Sequence, residues 1–223
     1  ESNFISNQST LNGGAISALN SSLSTARCIF ISNRSNGNGG GACHVNEGVW
    51  VDSNGSYANN ISSFEGGAIL WEETTGSLSD SNFTSNENIS WNGGGAIYVS
   101  KSSPIISRCM FNANITKANS PGGAINLNNA SPIISNCTFS SNLASNFAGG
   151  ALGINETSLP SASNNFFHHN TAPFAGAIYA SGTTGLTFSN SIFIGNKATT
   201  SSSTGGGVIA LQGGSATNFI NCV

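Results

Sequence analysis

Short apolar runs recur along this chain at a fixed interval, each alternating with polar residues and each bounded by Asn, Ser and Gly. Two motifs mark the interval. The first, Phe-x-x-Asn, begins at Phe4, Phe30, Phe83, Phe111, Phe139, Phe167 and Phe193, with Tyr57 filling the one gap and Phe219 opening a ninth copy in which Cys222 replaces Asn. The steps between these aromatics are 26, 27, 26, 28, 28, 28, 26 and 26 residues. The second motif, Gly-Gly-Ala plus an aliphatic residue, ends at Ile16, Ile69, Ile97, Ile125 and Leu152, with Cys43 substituting in Gly40-Gly41-Ala42-Cys43. Two motifs locked to one period identify a repeat protein.

The segments are too short and too rich in Gly, Ser, Asn and β-branched residues for helix. Alternation places Ile97 with Val99, and Ile125 with Leu127, on one face, while Ser17, His44 and Asn126 fall on the other. Cys109 and Phe111 share a face in the same way. Asn/Ser/Gly clusters between the runs suit turns. The fold expected is all-β: a right-handed parallel β-helix of about nine coils, three short strands per coil, with residues 1–223 forming a single segment cut from a longer repetitive surface protein. Motif asparagines Asn7, Asn33, Asn60, Asn86, Asn114, Asn142, Asn170 and Asn196 are expected to stack as a ladder of amides.

Paired Gly-Gly-Ala-Ile and Phe-x-x-Asn repeats resemble those of the chlamydial polymorphic membrane proteins, and the resemblance runs from Phe4 to Cys222. It implies a β-helical passenger on a cell surface that mediates adhesion to host cells.

Only 7% of residues are charged and the net charge is −3. No basic stripe is available to neutralise phosphates, which argues against nucleic acid. No run approaches the ~18 apolar residues of a membrane span. The partners expected are other proteins, on a host or neighbouring cell or as further copies stacked end to end, together with glycans. No cofactor is expected.

Catalysis on such a fold needs clustered carboxylates on an exposed face. In register, Glu47, Glu73 and Glu156 share one column, but Lys101 lies beside Glu73 in the next coil, which reads as a surface ion pair. Asp52, Glu65, Glu72 and Asp80 read as scattered. His168 and His169 fill the variable positions of one Phe-x-x-Asn turn, and they and His44 read as solvated. Trp50, Trp71 and Trp91 read as interior or under-loop packing, with sugar stacking as the alternative. The cysteines read as small buried hydrophobes, and a disulfide between Cys109 and Cys137, one rung apart, is the alternative. Sequons at Asn20, Asn54, Asn88 and Asn155 fall at expected turns and are candidate glycan acceptors in a eukaryotic secretory pathway. The function expected is non-enzymatic, extracellular or cell-surface, adhesive or structural. A filament building block and a polysaccharide lyase or hydrolase are the alternatives.

Overall fold

The structure is a computed structural model that describes residues 2–90, 92–117, 119–200 and 206–223. Among the described residues there is no α-helix; the chain winds as a parallel β-helix with four sheets of eight strands each. One sheet carries the motif aromatics, from Asn3–Ile5 to Ile192–Ile194. A second is built of two-residue strands, from Gln8–Ser9 to Lys197–Ala198. The third follows Gly-Gly-Ala, from Ile16–Leu19 to Ile209–Gln212. The fourth runs from Ser22–Ala26 to Thr217–Ile220. Each coil therefore holds four strands where three were expected. The additional one is two residues long and carries no periodicity of its own.

In three of the sheets the strands are short because each ends at a single left-handed residue. The residue before the motif asparagine has φ of 53–56° in Ser6, Ser32, Asn59, Ser85, Ala113, Ser141 and His169. A second such corner follows the fourth sheet, as at Asn54 (55°) and Asp80 (55°), and a third follows the Gly-Gly-Ala strand, as at Glu47 (53°) and Lys101 (47°). Their backbone amides still donate to the next coil, as Glu47 N–H does to the Glu72 carbonyl at 3.2 Å, so a sharp corner leaves no amide stranded. The glycine pair makes the fourth corner. Gly66 has φ +57°, and a Cβ on Gly67 would lie 1.9 Å from the Gly95 carbonyl oxygen of the next rung.

Interior positions stack in columns. The rings of Phe4, Phe30, Tyr57, Phe83, Phe111, Phe139, Phe167 and Phe193 lie 4.6–4.9 Å apart and within 10° of parallel. That separation is the rung spacing of a β-sheet, about 4.8 Å, so sheet pairing sets the stack. Beside it lie Ile69, Ile97 and Ile125, all fully buried, with Trp71, Val99 and Leu127 two residues further along their strands. The outward face of the Gly-Gly-Ala sheet is also covered, because the segments leading into the motif fold across it. Tyr179 packs edge-on to Phe147 at 5.2 Å and joins Ala148 and Ala175 in a small second core.

The ninth copy of the motif lies elsewhere in the coil. Phe219 pairs with Phe188 on the fourth sheet, not with Phe193, and Cys222 does not replace a ladder asparagine. Ten residues separate Ala198 from Ile209 where five separate Ala172 from Ile178. The five extra residues shift the register, so the 26-residue step from Phe193 to Phe219 matches the period without matching the rung.

Candidate functional site

The eight motif asparagines run as one ladder along the axis. Each Nδ2 donates to the next Oδ1, from Asn7 to Asn33 (2.9 Å) through Asn170 to Asn196 (2.9 Å), and that same Oδ1 accepts the donor residue's backbone N–H at 3.0 Å. From Asn33 onward Nδ2 also donates to an aromatic-residue carbonyl one rung back, as Asn114 does to Phe83 at 3.0 Å. Asn33, Asn60, Asn86, Asn114, Asn142 and Asn170 are wholly buried, so these amides support the fold and are closed to ligands.

A second polar group is sealed inside the helix. Asp52 is fully buried; Thr25 Oγ1 donates to its Oδ1 at 2.5 Å and Ser81 Oγ to its Oδ2 at 2.8 Å, while Trp50 Nε1 donates to Thr25 Oγ1 at 3.0 Å. Burial pushes the Asp52 carboxyl up, and the two hydroxyl donors oppose that shift. The expectation that Asp52 is one of several scattered acids missed this. Val49 and Val51 face outward at 45% exposure while Trp50 and Asp52 face inward, the reverse of the usual alternation.

The outward face of the second and third coils carries a different group. His44 and Asn46 lie on Cys43–Asn46, and their pairing partners Leu70 and Glu72 lie on Ile69–Glu72. Glu65 is brought over this face by its segment's bridge to Gly39, which in turn bridges to Asn12. Together with Asn12 and Phe64 these residues line a cleft of about 490 Å³. His44 is corrected from solvated to covered: it is 6% exposed, and both ring nitrogens lack a partner, with Glu72 Oε2 at 3.9 Å from Nε2. Burial holds its imidazole below the ordinary range and therefore neutral at pH 7. Burial, with Glu72 adding to it, pushes Glu65 up to about 7. The buried oxygens of Asn12 and Asn46 are also unpartnered. The cleft thus holds unpartnered acceptors beside the amide and hydroxyl donors of Asn12, Asn38, Asn46 and Ser17. No group of three or more His, Cys, Asp or Glu among the described residues is arranged to hold a metal ion.

The remaining expected positions are dispersed. Glu73 pairs with Lys101 at 2.7 Å, both exposed; Glu47 is exposed on the same corner column, and Glu156 accepts from Asn128 and Asn129. Asp80 makes a two-pronged contact with Arg108 at 2.7 and 2.8 Å, and the guanidinium holds its carboxyl below the ordinary range. His168 and His169 meet Nδ1 to Nδ1 at 3.0 Å on the surface. Trp50 and Trp71 are fully buried and stacked at 4.9 Å, which closes them to sugars, and Trp91 lies outside the described residues.

Cys109 and Cys137 are buried free thiols, as are Cys28 and Cys43. The alternative disulfide is not formed: in-register stacking keeps the Cα–Cβ vectors parallel, so the Cβ atoms stay near the rung spacing of about 4.8 Å instead of the ~3.8 Å a disulfide needs. Asn20 and Asn54 are exposed at left-handed corners. Asn88 is corrected from turn to interior: it lies on Glu87–Asn88, fully buried, with its amide donating to the Phe64 carbonyl and its Oδ1 accepting from Thr116 at 3.2 Å. Asn155 is half-buried at a strand end and donates to Asn126 Oδ1 at 2.9 Å.

Over residues 47–223 the sequence matches the family described as the right-handed β-helix region, and the chain belongs to that family. Residues 1–19 match the Chlamydia polymorphic membrane protein repeat, the repeat that Gly-Gly-Ala-Ile and Phe-x-x-Asn resemble. No curated protein and no solved structure matches the chain. Among the described residues no helix is long and apolar enough to cross a membrane.

Proposed function

We propose that this β-helix is a non-enzymatic display scaffold at a cell surface or in the extracellular space, holding variable side chains on a fixed frame for adhesion. The observation that carries this reading is the contrast between inside and outside. The aromatic column and amide ladder persist from rung to rung. At the outer corner after the Gly-Gly-Ala strand, the residue changes from Asn20 to Glu47, Glu73, Lys101, Asn129 and Glu156 while φ stays at 42–57°. A frame that accepts any polar side chain at a fixed backbone position suits recognition by combination, as loops on rigid scaffolds do. The surface character of the repeat matched by residues 1–19 supports the location.

The test is to couple the purified chain to fluorescent beads and measure saturable binding to cultured cells, with heat-unfolded protein on control beads. Saturable binding lost on unfolding is the expected result. Beads that bind no cell surface, with a chain that releases reducing or unsaturated ends from polysaccharides, would overturn the reading in favour of an enzyme.

A further inference from the structure

We infer that the cleft over His44, Glu65 and Glu72 binds a neutral hexose or N-acetylhexosamine unit of a glycan. The inference deepens the adhesive reading and rests on it. Six buried side-chain polar atoms among the described residues lack a hydrogen-bond partner, and four of them line this one cleft: Asn12 Oδ1, Asn46 Oδ1 and both ring nitrogens of His44. A buried polar group left unsatisfied costs the full penalty of its desolvation, so such a concentration needs a reason. The cluster is local and no part of the repeat: on the outward column His44 is followed by Leu70, Tyr98 and Asn126 on successive rungs.

The cleft's chemistry selects the ligand. Two unpartnered amide oxygens, two carboxyl groups and one imidazole nitrogen accept, while the other imidazole nitrogen, the amides of Asn12, Asn38 and Asn46 and the Ser17 hydroxyl donate. A ligand must therefore donate and accept several bonds within a few ångströms. Vicinal hydroxyls on a pyranose ring do both. Phe64, 46% exposed at the rim, offers a flat apolar face suited to the C–H face of a sugar, and Leu70 adds an apolar contact. The volume of about 490 Å³ lies within the usual range of small-ligand sites. The lining includes no Lys or Arg, its imidazole is neutral and its carboxyl groups are Glu72 and a half-protonated Glu65, so neutral glycans are favoured over sialylated and uronate-bearing ones.

The test uses the full chain on an array of neutral, sialylated and uronate-bearing glycans at neutral pH. Titration calorimetry follows, with methyl glycosides of galactose, glucose and N-acetylglucosamine. Binding is expected for neutral glycans only, weakened about tenfold or more in Phe64→Ala and in Glu72→Gln, each with an unchanged unfolding midpoint. Phe64 lies on the rim, and Glu72→Gln keeps the shape, so one variant tests the site if the other fails to fold. An array on which no neutral glycan binds while cell-bead adhesion persists overturns this inference and leaves the adhesive reading standing. Loss of both overturns the two together. Binding of arginine-rich peptides or polyamines in place of sugars would also overturn it, making the cleft a cation site.

Discussion

Replacing Asn114 by Ala tests the ladder where it is most enclosed. Asn114 Nδ2 donates to the Phe83 carbonyl and to Asn142 Oδ1, and its Oδ1 accepts both the backbone N–H and the Nδ2 of Asn86, all at 3.0 Å. Asn142 Oδ1 keeps the Asn114 backbone N–H after truncation, also at 3.0 Å. Three groups then lose their ladder partner: the Asn86 N–H, one Asn86 amide hydrogen and the Phe83 carbonyl. At about 1–3 kcal/mol for each stranded buried group, and with partial relaxation, the loss is about 3–6 kcal/mol. Asn7→Ala is the control. Asn7 is exposed and receives no bond from another ladder amide, and Asn33 Oδ1 keeps the Asn7 backbone N–H, so its loss is below about 1 kcal/mol. Guanidinium unfolding followed by far-UV circular dichroism measures both. Because each rung contacts only its neighbours, Asn114→Ala should also broaden the transition as the stack splits around the defect. Asn114→Asp, equal in size, should cost at least as much, since it turns oxygen toward the Phe83 carbonyl and Asn142 Oδ1. Equal losses for Asn7→Ala and Asn114→Ala, within 1 kcal/mol, would refute the reasoning.

Ala113 holds a left-handed corner at φ 53° that Asn59 holds two rungs earlier; Ala113→Asn should stabilise by about 0.5–1 kcal/mol in the same assay, and a loss would count against the corner argument. The Glu65 carboxyl is raised in the folded chain to about 7 from an ordinary 4.5, so the folded state holds a proton that the unfolded chain releases. Stability from this group is therefore fullest below pH 4.5 and is lost as pH rises to 7, by about 1–2 kcal/mol once screening of a partly exposed group is included. Thermal midpoints from pH 4 to 8 should show that Glu65→Gln removes this slope; buried Asp52 contributes in the same sense to both proteins, so the difference between them is the measurement. On secretion from a eukaryotic host, glycopeptide mass spectrometry should find Asn20 and Asn54 modified and Asn88 bare. A folded protein with glycan on Asn88 would contradict its burial.

The rung was legible in the sequence because two motifs with different chemistry repeat together, and stacking forces like residues onto like. Legibility failed where spacing and register part company. Phe219 keeps the 26-residue step, yet the longer crossing before Ile209 puts it on the strand of Phe188. Two-residue strands such as Arg34–Ser35 are too short for any alternation to announce them. Asp52 was recoverable in part, since Tyr57 breaks the run of Phe in the same coil and its strand buries alternate positions whichever residues fill them. In the cleft, register alone puts His44 and Asn46 beside Leu70 and Glu72, because residues two apart share a face. What no periodicity reveals is the segment carrying Phe64 and Glu65 across that face, and that cover turns a surface histidine into a buried one.

The crossing between Ala198 and Ile209 has a consequence for how such chains diversify. Its flanking strands Lys197–Ala198 and Ile209–Gln212 pair with the previous rung in the usual way, although the connection is twice the length of the one before it. Earlier crossings at the same place vary too, from five residues between Ala172 and Ile178 to eight between Thr116 and Ile125, and the ring stack and amide ladder continue past them. Of the three other corners two keep one length throughout, and the one after the Gly-Gly-Ala strand lengthens by a single residue, from four between Asn128 and Ile133 to five between Asn155 and Ser161. Insertions in related genes should therefore accumulate mainly at this point of the circumference, and a foreign epitope grafted there would be carried on the outside of an otherwise unaltered rod.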